Sequence, residues 1–245
     1  MDKIRGVNLG NWLVLEKWMH PALFEGTSAE DEDELCRQLP REELVKRLNA
    51  HRDAYITKED FSYLSSKGIN TVRIPVPHFL FGDDPAYCEP YVPCVEYLDS
   101  AFAWAEETGL SILIDVHTAP ESQNGFDNGG ICGVCKWAQD PGRVDRLLRV
   151  LEKLALRYGR HPSLWGIQLL NEPVSEPLWQ MVRYKYLPHN PERAAGSSFV
   201  PLDVLYDFYT RGYHMLRSIL PEDKKIVFHD GFRFEVWEPF FREAG

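Results

Sequence analysis

The chain has 245 residues, 44% of them hydrophobic and 26% charged, an ordinary globular composition that suits one α/β barrel or two smaller domains. Its formal net charge of -10 leaves no basic face to neutralise phosphates, which argues against a nucleic-acid partner and, more weakly, against an anionic membrane. No apolar run approaches the roughly 18 residues of a membrane span, so no membrane-crossing segment is expected.

Met1-Asp2-Lys3 leads directly into a first strand over residues 4–9, with no secretory leader in view. A cytoplasmic location is the default expectation, and a secreted one applies if a leader has been removed. Residues 28–48 are acidic and then amphipathic, which predicts a short surface helix. Thr57-Lys58-Glu59-Asp60 opens a helix with a threonine cap, and Gly68 closes it. A second strand spans 70–74, and a helix over 97–107 is closed by Gly109. A third strand spans 110–116. The helix over 141–158 places Leu147, Leu148, Leu151, Leu154 and Ala155 on one face. A fourth strand covers 165–170, a helix over 202–220 is stopped by Pro221, and a fifth strand covers 225–228.

These strands are continuous apolar runs, the pattern of strands buried on both faces. Their alternation with helices predicts a parallel sheet with right-handed crossovers, either an open doubly wound sheet or a barrel. No G-x-G-x-x-G or Walker pattern follows any strand, so a nucleotide-binding sheet is not supported. Polar and charged residues gather just after each strand end, which is the layout of a barrel enzyme. The insertions at 16–56, 75–94, 118–140 and 174–201 all follow strand ends and so wall one rim. A closed barrel needs eight strands, and three more units ask for on the order of 120 further residues. The expected fold is therefore an α/β, (β/α)8 TIM barrel truncated after about five βα units, with residues 1–245 forming one partial catalytic domain.

The strand ends supply the candidate chemistry. Asn8, Asn11, Trp12 and Glu16 follow the first, Arg73 closes the second, and Asp115 and His117 close the third. Asn171-Glu172-Pro173 ends the fourth, and His229 and Asp230 end the fifth. A lone buried arginine is often a structural ion pair, but five strands presenting such groups on one rim describe a site. A glutamate at a barrel strand's C-terminal end is a candidate general acid/base for cleaving a glycosidic bond.

Residues 4–24, Thr71 to Pro75, the 115–129 segment with Ser122-Gln123-Asn124-Gly125-Phe126-Asp127-Asn128, residues 166–173 and the His229-Asp230-Gly231 segment together resemble the exo-β-1,3-glucanase branch of glycoside hydrolase family 5. The resemblance implies retaining hydrolysis of β-glucosidic bonds, without a cofactor, on a β-linked glucose oligosaccharide or glucoside. Glu172 would be the acid/base and Asn171 would hold the sugar 2-hydroxyl. Arg73 and His117 would position a second carboxylate, and Glu16 and Asp127 would bind the terminal glucose. His229 joins the substrate-binding set at the fifth strand end. Phe126 would be a stacking wall or a packing residue, and Trp12, Trp18 and Trp137 are stacking or packing candidates. The family's nucleophile ends strand seven, a His-x-Tyr pair lies on strand six and a Trp on strand eight, and none of these strands is present. Glu235 and Glu238 do not follow a strand in the family's pattern. The expectation is that these residues alone do not hydrolyse a β-glucoside. Two other readings remain: a non-catalytic sugar-binding barrel, and a half completed by another chain, with self-association through the open sheet edges.

Five cysteines leave at least one unpaired: Cys36, Cys88, Cys94, Cys132 and Cys135. Cys88, Cys94, Cys132 and Cys135 lie on the loops after strands two and three. If the loops meet, the four thiolates suit a structural zinc. Disulfides and reduced, unliganded thiols are the alternatives.

Overall fold

The computed structural model describes residues 3–244. The expected run of Met1-Asp2-Lys3 into the first strand thus involves two residues outside the described ones, and Gly245 is a third. Five parallel strands form a single sheet in chain order: β1 (Gly6–Asn8), β2 (Thr71–Val76), β3 (Ser111–Val116), β4 (Leu164–Gln168) and β5 (Lys225–Val227). Sequential parallel neighbours joined by helical crossovers are the wiring of a (β/α) barrel. Their central residues Val72, Ile74, Ile112, Ile114 and Ile167 are fully buried, as continuous apolar runs require.

Pro75 sits inside β2, where a proline normally breaks a ladder. It is tolerated because β1 pairing stops at Asn8 and Arg73, so the missing N–H has no strand to serve. Beyond the regular end of β4 the chain keeps bonding alternately to its neighbours, with Leu169 N–H donating to Val227 O at 3.1 Å and Asn171 N–H to Val116 O at 2.8 Å. That carries the strand direction up to Glu172. Gly166 permits the β4–β5 approach: a Cβ there would lie 2.5 Å from the Lys225 carbonyl oxygen.

The stretch before β2 differs from the expected single surface helix. It forms α1 (Glu32–Gln38) and α2 (Arg41–Tyr55), interrupted at Leu39-Pro40, because the residue before a proline is pushed out of the helical region. Nor is it wholly a surface element, since Glu32, Asp33, Leu44 and Leu48 are buried. α3 (Lys58–Ser66) starts with a reciprocal Thr57–Asp60 capping box. α4 (Pro85–Cys88) and α5 (Val95–Thr108) precede β3, and α5 ends at Gly109 with φ 74°. α6 (Pro141–Tyr158), α7 (Glu176–Val182), α8 (Pro191–Ala194), α9 (Leu202–Ile219) and α10 (Trp237–Ala244) complete the chain. None of the helices among the described residues is long and apolar enough to cross a membrane.

Leu98, Phe102, Leu147, Leu151, Leu154, Phe208 and Leu216 pack the helix layer onto the sheet. Trp12 and Trp137 belong to this core and are fully buried, so neither is a platform for a ligand. The Trp12 indole N–H donates to Arg52 O at 2.9 Å and its ring stacks on Trp104. Trp137 meets Phe208 edge-on.

Candidate active site

The polar groups that close the strands converge. Arg73, which the sequence placed at the close of the second strand, is the third residue of the six in β2, and it reaches four side chains: Asp115 (2.9 Å), Asn171 Oδ1 (2.9 Å), Gln168 Oε1 (3.1 Å) and Asn8 Oδ1 (3.2 Å). Asp115 is fully buried in β3, and its Oδ2 is shared between Arg73 and His117 Nδ1, the latter at 2.5 Å. His117 Nε2 faces the Asn171 amide nitrogen at 3.4 Å. One buried carboxylate therefore orients an arginine and a histidine from two strands, and the arginine orients an asparagine from a third.

Glu172 follows Asn171 and has φ 47°, in the left-handed region that a glutamate rarely adopts. The turn takes the chain out of the strand direction, and such strained non-glycine residues concentrate at functional sites. Its Oε2 accepts from Asn128 Nδ2 at 2.8 Å. Asn128 is itself held through its Oδ1 by Asn124 Nδ2 at 3.1 Å. The tight 122–130 loop that makes this possible needs Gly129, where a Cβ would lie 2.2 Å from Asn124 Oδ1.

Glu16 reaches the same region from the loop after β1. Asn11, itself at φ 58°, accepts from the Glu16 N–H at 2.8 Å and so fixes its backbone. Burial raises the Glu16 carboxyl above its usual range, and the nearby Asp127 and Glu172 carboxylates add to the effect against the Trp18 hydrogen bond and His117. His229 sits at the end of β5, its ring accepting from the Gly231 N–H at 3.0 Å and its carbonyl held by Tyr209. Burial lowers its imidazole pKa against the pull of the Asp230, Glu172 and Asp115 carboxylates, with Arg73 pushing the same way as burial. Groups from all five strand ends thus share one electrostatic neighbourhood.

Phe126 stands apart. It is 8% exposed, stacks on Tyr186 and packs with Cys135, Val174 and Trp179, so what the structure shows of it is packing. Trp18 is exposed and donates its indole N–H to Glu16 at 2.9 Å. Glu235 is exposed, and Glu238 is engaged by Arg242 on α10.

Two residues that the sequence reading left without a role turn out to organise the site: Asn128 and Gln123. Gln123 is fully buried. Its Nε2 donates to the His117 and Asn171 carbonyls at 2.9 and 2.8 Å, and its Oε1 accepts from the Ala119 N–H at 3.0 Å. It clamps the ends of β3 and β4 together. Gln123→Ala strands three buried backbone groups and is expected to destabilise the chain by about 3–5 kcal/mol, at about 1–3 kcal/mol for each unpaired group. Chemical denaturation measures this; a cost below about 1 kcal/mol would mean that water takes over all three bonds.

The four thiols proposed for zinc do not assemble. Cys94 belongs to the main core, Cys88 to a second cluster and Cys135 to a third. Among the described residues no group of three or more His, Cys, Asp or Glu is placed to hold a metal ion, and all five cysteines are free and buried. Burial raises the thiols of Cys36, Cys94, Cys132 and Cys135, keeping them protonated.

Three consecutive acids at the start of α1 tie the rim loops together. Asp31 accepts from the Cys132 N–H at 2.7 Å. Glu32 accepts from the Leu15 N–H at 3.1 Å and faces Arg52 at 3.8 Å. Asp33 accepts from Tyr91 at 3.0 Å and pairs with Arg37 and Arg193. Burial lifts Glu32 to about 7, against the opposing pull of Arg52. A folded-state pKa above the unfolded one gives stability that is complete below about 4.5 and is lost as pH rises through about 7. Glu32→Gln removes that loss. The stability difference between variant and parent is expected to shift in the variant's favour by roughly 3 kcal/mol between pH 4.5 and 8, read from paired thermal melts. A difference independent of pH would place the Glu32 titration elsewhere.

Residues 38–201 match the profile of the cellulase family, glycosyl hydrolase family 5. The chain belongs to glycosyl hydrolase family 5. Within the family it is similar to the glucan 1,3-beta-glucosidase of Pichia angusta, 37% identical over 238 residues that cover 94% of this chain and 49% of that protein. It is also similar to the probable glucan 1,3-beta-glucosidase A of Emericella nidulans, 38% identical over 244 residues covering 98% of this chain and 54% of the relative. This family-5 chain spans about half the length of these relatives. Among solved structures, a rutinosidase from Aspergillus niger superimposes with a TM-score of 0.76 at 24% identity, over 97% of this chain and 65% of the other. The cellulose synthase subunit Z of Clostridioides difficile does so at 0.52 and 17% identity, over 93% and 52%. At such identities these structures show the shared barrel fold alone.

Proposed function

We propose that the protein containing these 245 residues is a retaining β-glucosidase acting on β-glucans or β-glucosides, and that the whole chain described here is part of one catalytic barrel domain. The observation that carries this reading is the Glu172 carboxylate, bonded to Asn128 at 2.8 Å beside the Arg73–Asp115–His117–Asn171 network. Membership of the family and the similarity to glucan 1,3-beta-glucosidases support it.

On this reading Glu172 protonates the leaving oxygen and then activates water. Asn171, its carbonyl oxygen fixed by Arg73, turns its amide toward the sugar 2-hydroxyl, where a hydrogen bond strengthens in the transition state. Glu16 and Asp127 bind hydroxyls of the terminal glucose, and His229 lines the pocket. Arg73 and His117 hold the place of the second carboxylate. A retaining mechanism needs that carboxylate about 5–5.5 Å from the first, and we place it outside these residues.

The test compares the chain alone with the chain joined to the last three βα units of the Pichia angusta relative, on β-1,3-glucan and an aryl β-glucoside. Turnover by the joined protein and none by the chain alone is expected. A folded joined protein without turnover overturns the function. Turnover by the chain alone that disappears on Glu172→Gln overturns the external nucleophile. The β1 and β5 edges each pair with a single neighbour among the described residues, and self-association through them belongs to the same proposal. Light scattering that gives a clean monomer would remove it.

A further inference from the structure

His20 and His51 meet at a groove of about 390 Å³ between the Pro21–Phe24 turn and α2. Their Nδ1 atoms lie 3.3 Å apart. That is longer than the about 2.7–3.2 Å typical of N–H···O bonds. It is the spacing of two nitrogens held by one tetrahedral ion, since ligands about 2.0–2.1 Å from zinc stand about 3.3–3.4 Å from each other. The tautomer of His51 suits that role. Its Nε2 lies 2.7 Å from the Asn11 carbonyl oxygen, which only accepts, so Nε2 carries the hydrogen and Nδ1 of the neutral ring keeps its lone pair. A metal-bound histidine typically gives its other N–H to such a carbonyl or to a carboxylate. Burial lowers the His51 imidazole to about 4 against the pull of the Asn11 hydrogen bond, and His20 and Arg52 push the same way as burial, so the ring is neutral at pH 7. Tyr55 packs on both rings, with centroids 4.6 Å from His51 and 5.9 Å from His20, and sets their planes before anything binds.

We propose that His20 and His51 bind one divalent transition ion of the zinc type through their Nδ1 atoms, with water completing the tetrahedron. Imidazole nitrogen suits zinc and copper, whereas calcium and magnesium take oxygen ligands. Ala50 and Ala54, both exposed, line the groove and leave the open side of the ion to solvent. The nearby cations are already engaged. Arg47 donates to the Leu23 and Glu25 carbonyls and pairs with Glu43. Arg52 donates to the Val92 and Pro93 carbonyls and faces Glu32. The site lies outside the groups around Glu172 but is joined to them through one residue. His51 holds the Asn11 carbonyl, and Asn11 Oδ1 holds the Glu16 N–H at 2.8 Å. An ion that locks the His51 ring therefore steadies the turn that carries Glu16, and takes no part in glycoside cleavage.

Calorimetric titration of the 245-residue chain with zinc chloride tests the site. It is run on the parent, on His20→Ala, and on His189→Ala, which removes an exposed histidine beside Glu34. One ion per chain is expected for the parent and for His189→Ala. His20→Ala is expected to bind at least about 10–100-fold more weakly, the cost of losing even an outer-shell partner of a metal. In NMR spectra the ring nitrogen resonances of His20 and His51 are expected to move with zinc and those of His189 to stay in place. Unchanged affinity in His20→Ala, or a matching loss in His189→Ala, overturns the site. So do zinc shifts confined to other side chains, or the absence of any heat or shift up to about 1 mM zinc. The ring resonances are read on the parent, so they decide the question even where a variant melts early.

Discussion

Glu172→Gln is expected to lower turnover of β-1,3-glucan by about 10²–10⁴-fold in the protein completed with the remaining βα units, the range that a positioned proton donor contributes. The substitution is well suited to the site. A glutamine side-chain oxygen still accepts from Asn128, where the Glu172 Oε2 does so at 2.8 Å, so the turn at φ 47° keeps its one side-chain anchor. What disappears is the capacity to give and take a proton. On an aryl glucoside with a good leaving group the loss should be smaller in the first chemical step, because that step then needs little protonation. Hydrolysis of the glycosyl intermediate still needs a base and stays slow. A variant with the parent's rate on both substrates would remove Glu172 from the chemistry. A variant that has lost its fold, visible as a collapsed melt, would make Glu172 a structural residue instead.

Arg73→Ala is expected to destabilise the chain by about 3–5 kcal/mol, the cost of leaving a buried charge without its partner. Asp115 is fully buried, its Oδ1 has no hydrogen-bond partner, and its Oδ2 depends on Arg73 and His117 alone. Arg73 also holds Asn171, Gln168 and Asn8, so its loss frees the amide beside Glu172 as well. Arg73→Lys restores a charge but not the planar fork that meets several acceptors at once, and should recover less than half of the lost stability. Denaturant titration of both variants reads this directly. A lysine variant as stable as the parent would show that charge alone, without geometry, meets the need of Asp115.

Much of the scaffold was legible because the apolar runs of β2, β3 and β4 are long and uninterrupted, and their closing residues are polar in an apolar context. The boundary between α1 and α2 was missed although Pro40 marks it. The acids at 31–33 fall within the stretch expected to form a surface helix, because nothing local to a run of carboxylates reveals that Arg52, Tyr91 and Arg193 come from distant segments to meet it. Gln123 and Asn128 are illegible for the same reason: the partner that ties each of them to β4's end, Asn171 or Glu172, lies 48 or 44 residues away, and an amide in a polar loop looks like any other. Trp12 and Trp137 show the converse. An aromatic residue next to a strand end fits a platform and a core equally well, and only the burial of both rings decides for the core.

The acid triplet at Asp31, Glu32 and Asp33 also has an evolutionary consequence. Each member serves a different crossover, so a one-residue deletion or insertion at the start of α1 would hand every partner the wrong side chain at once, through a rotation of about 100° per helical residue. Length variation among descendants of this gene should therefore avoid residues 31–33 and collect where no carboxylate is shared, as around Gly196, whose added Cβ would meet nothing within 4 Å.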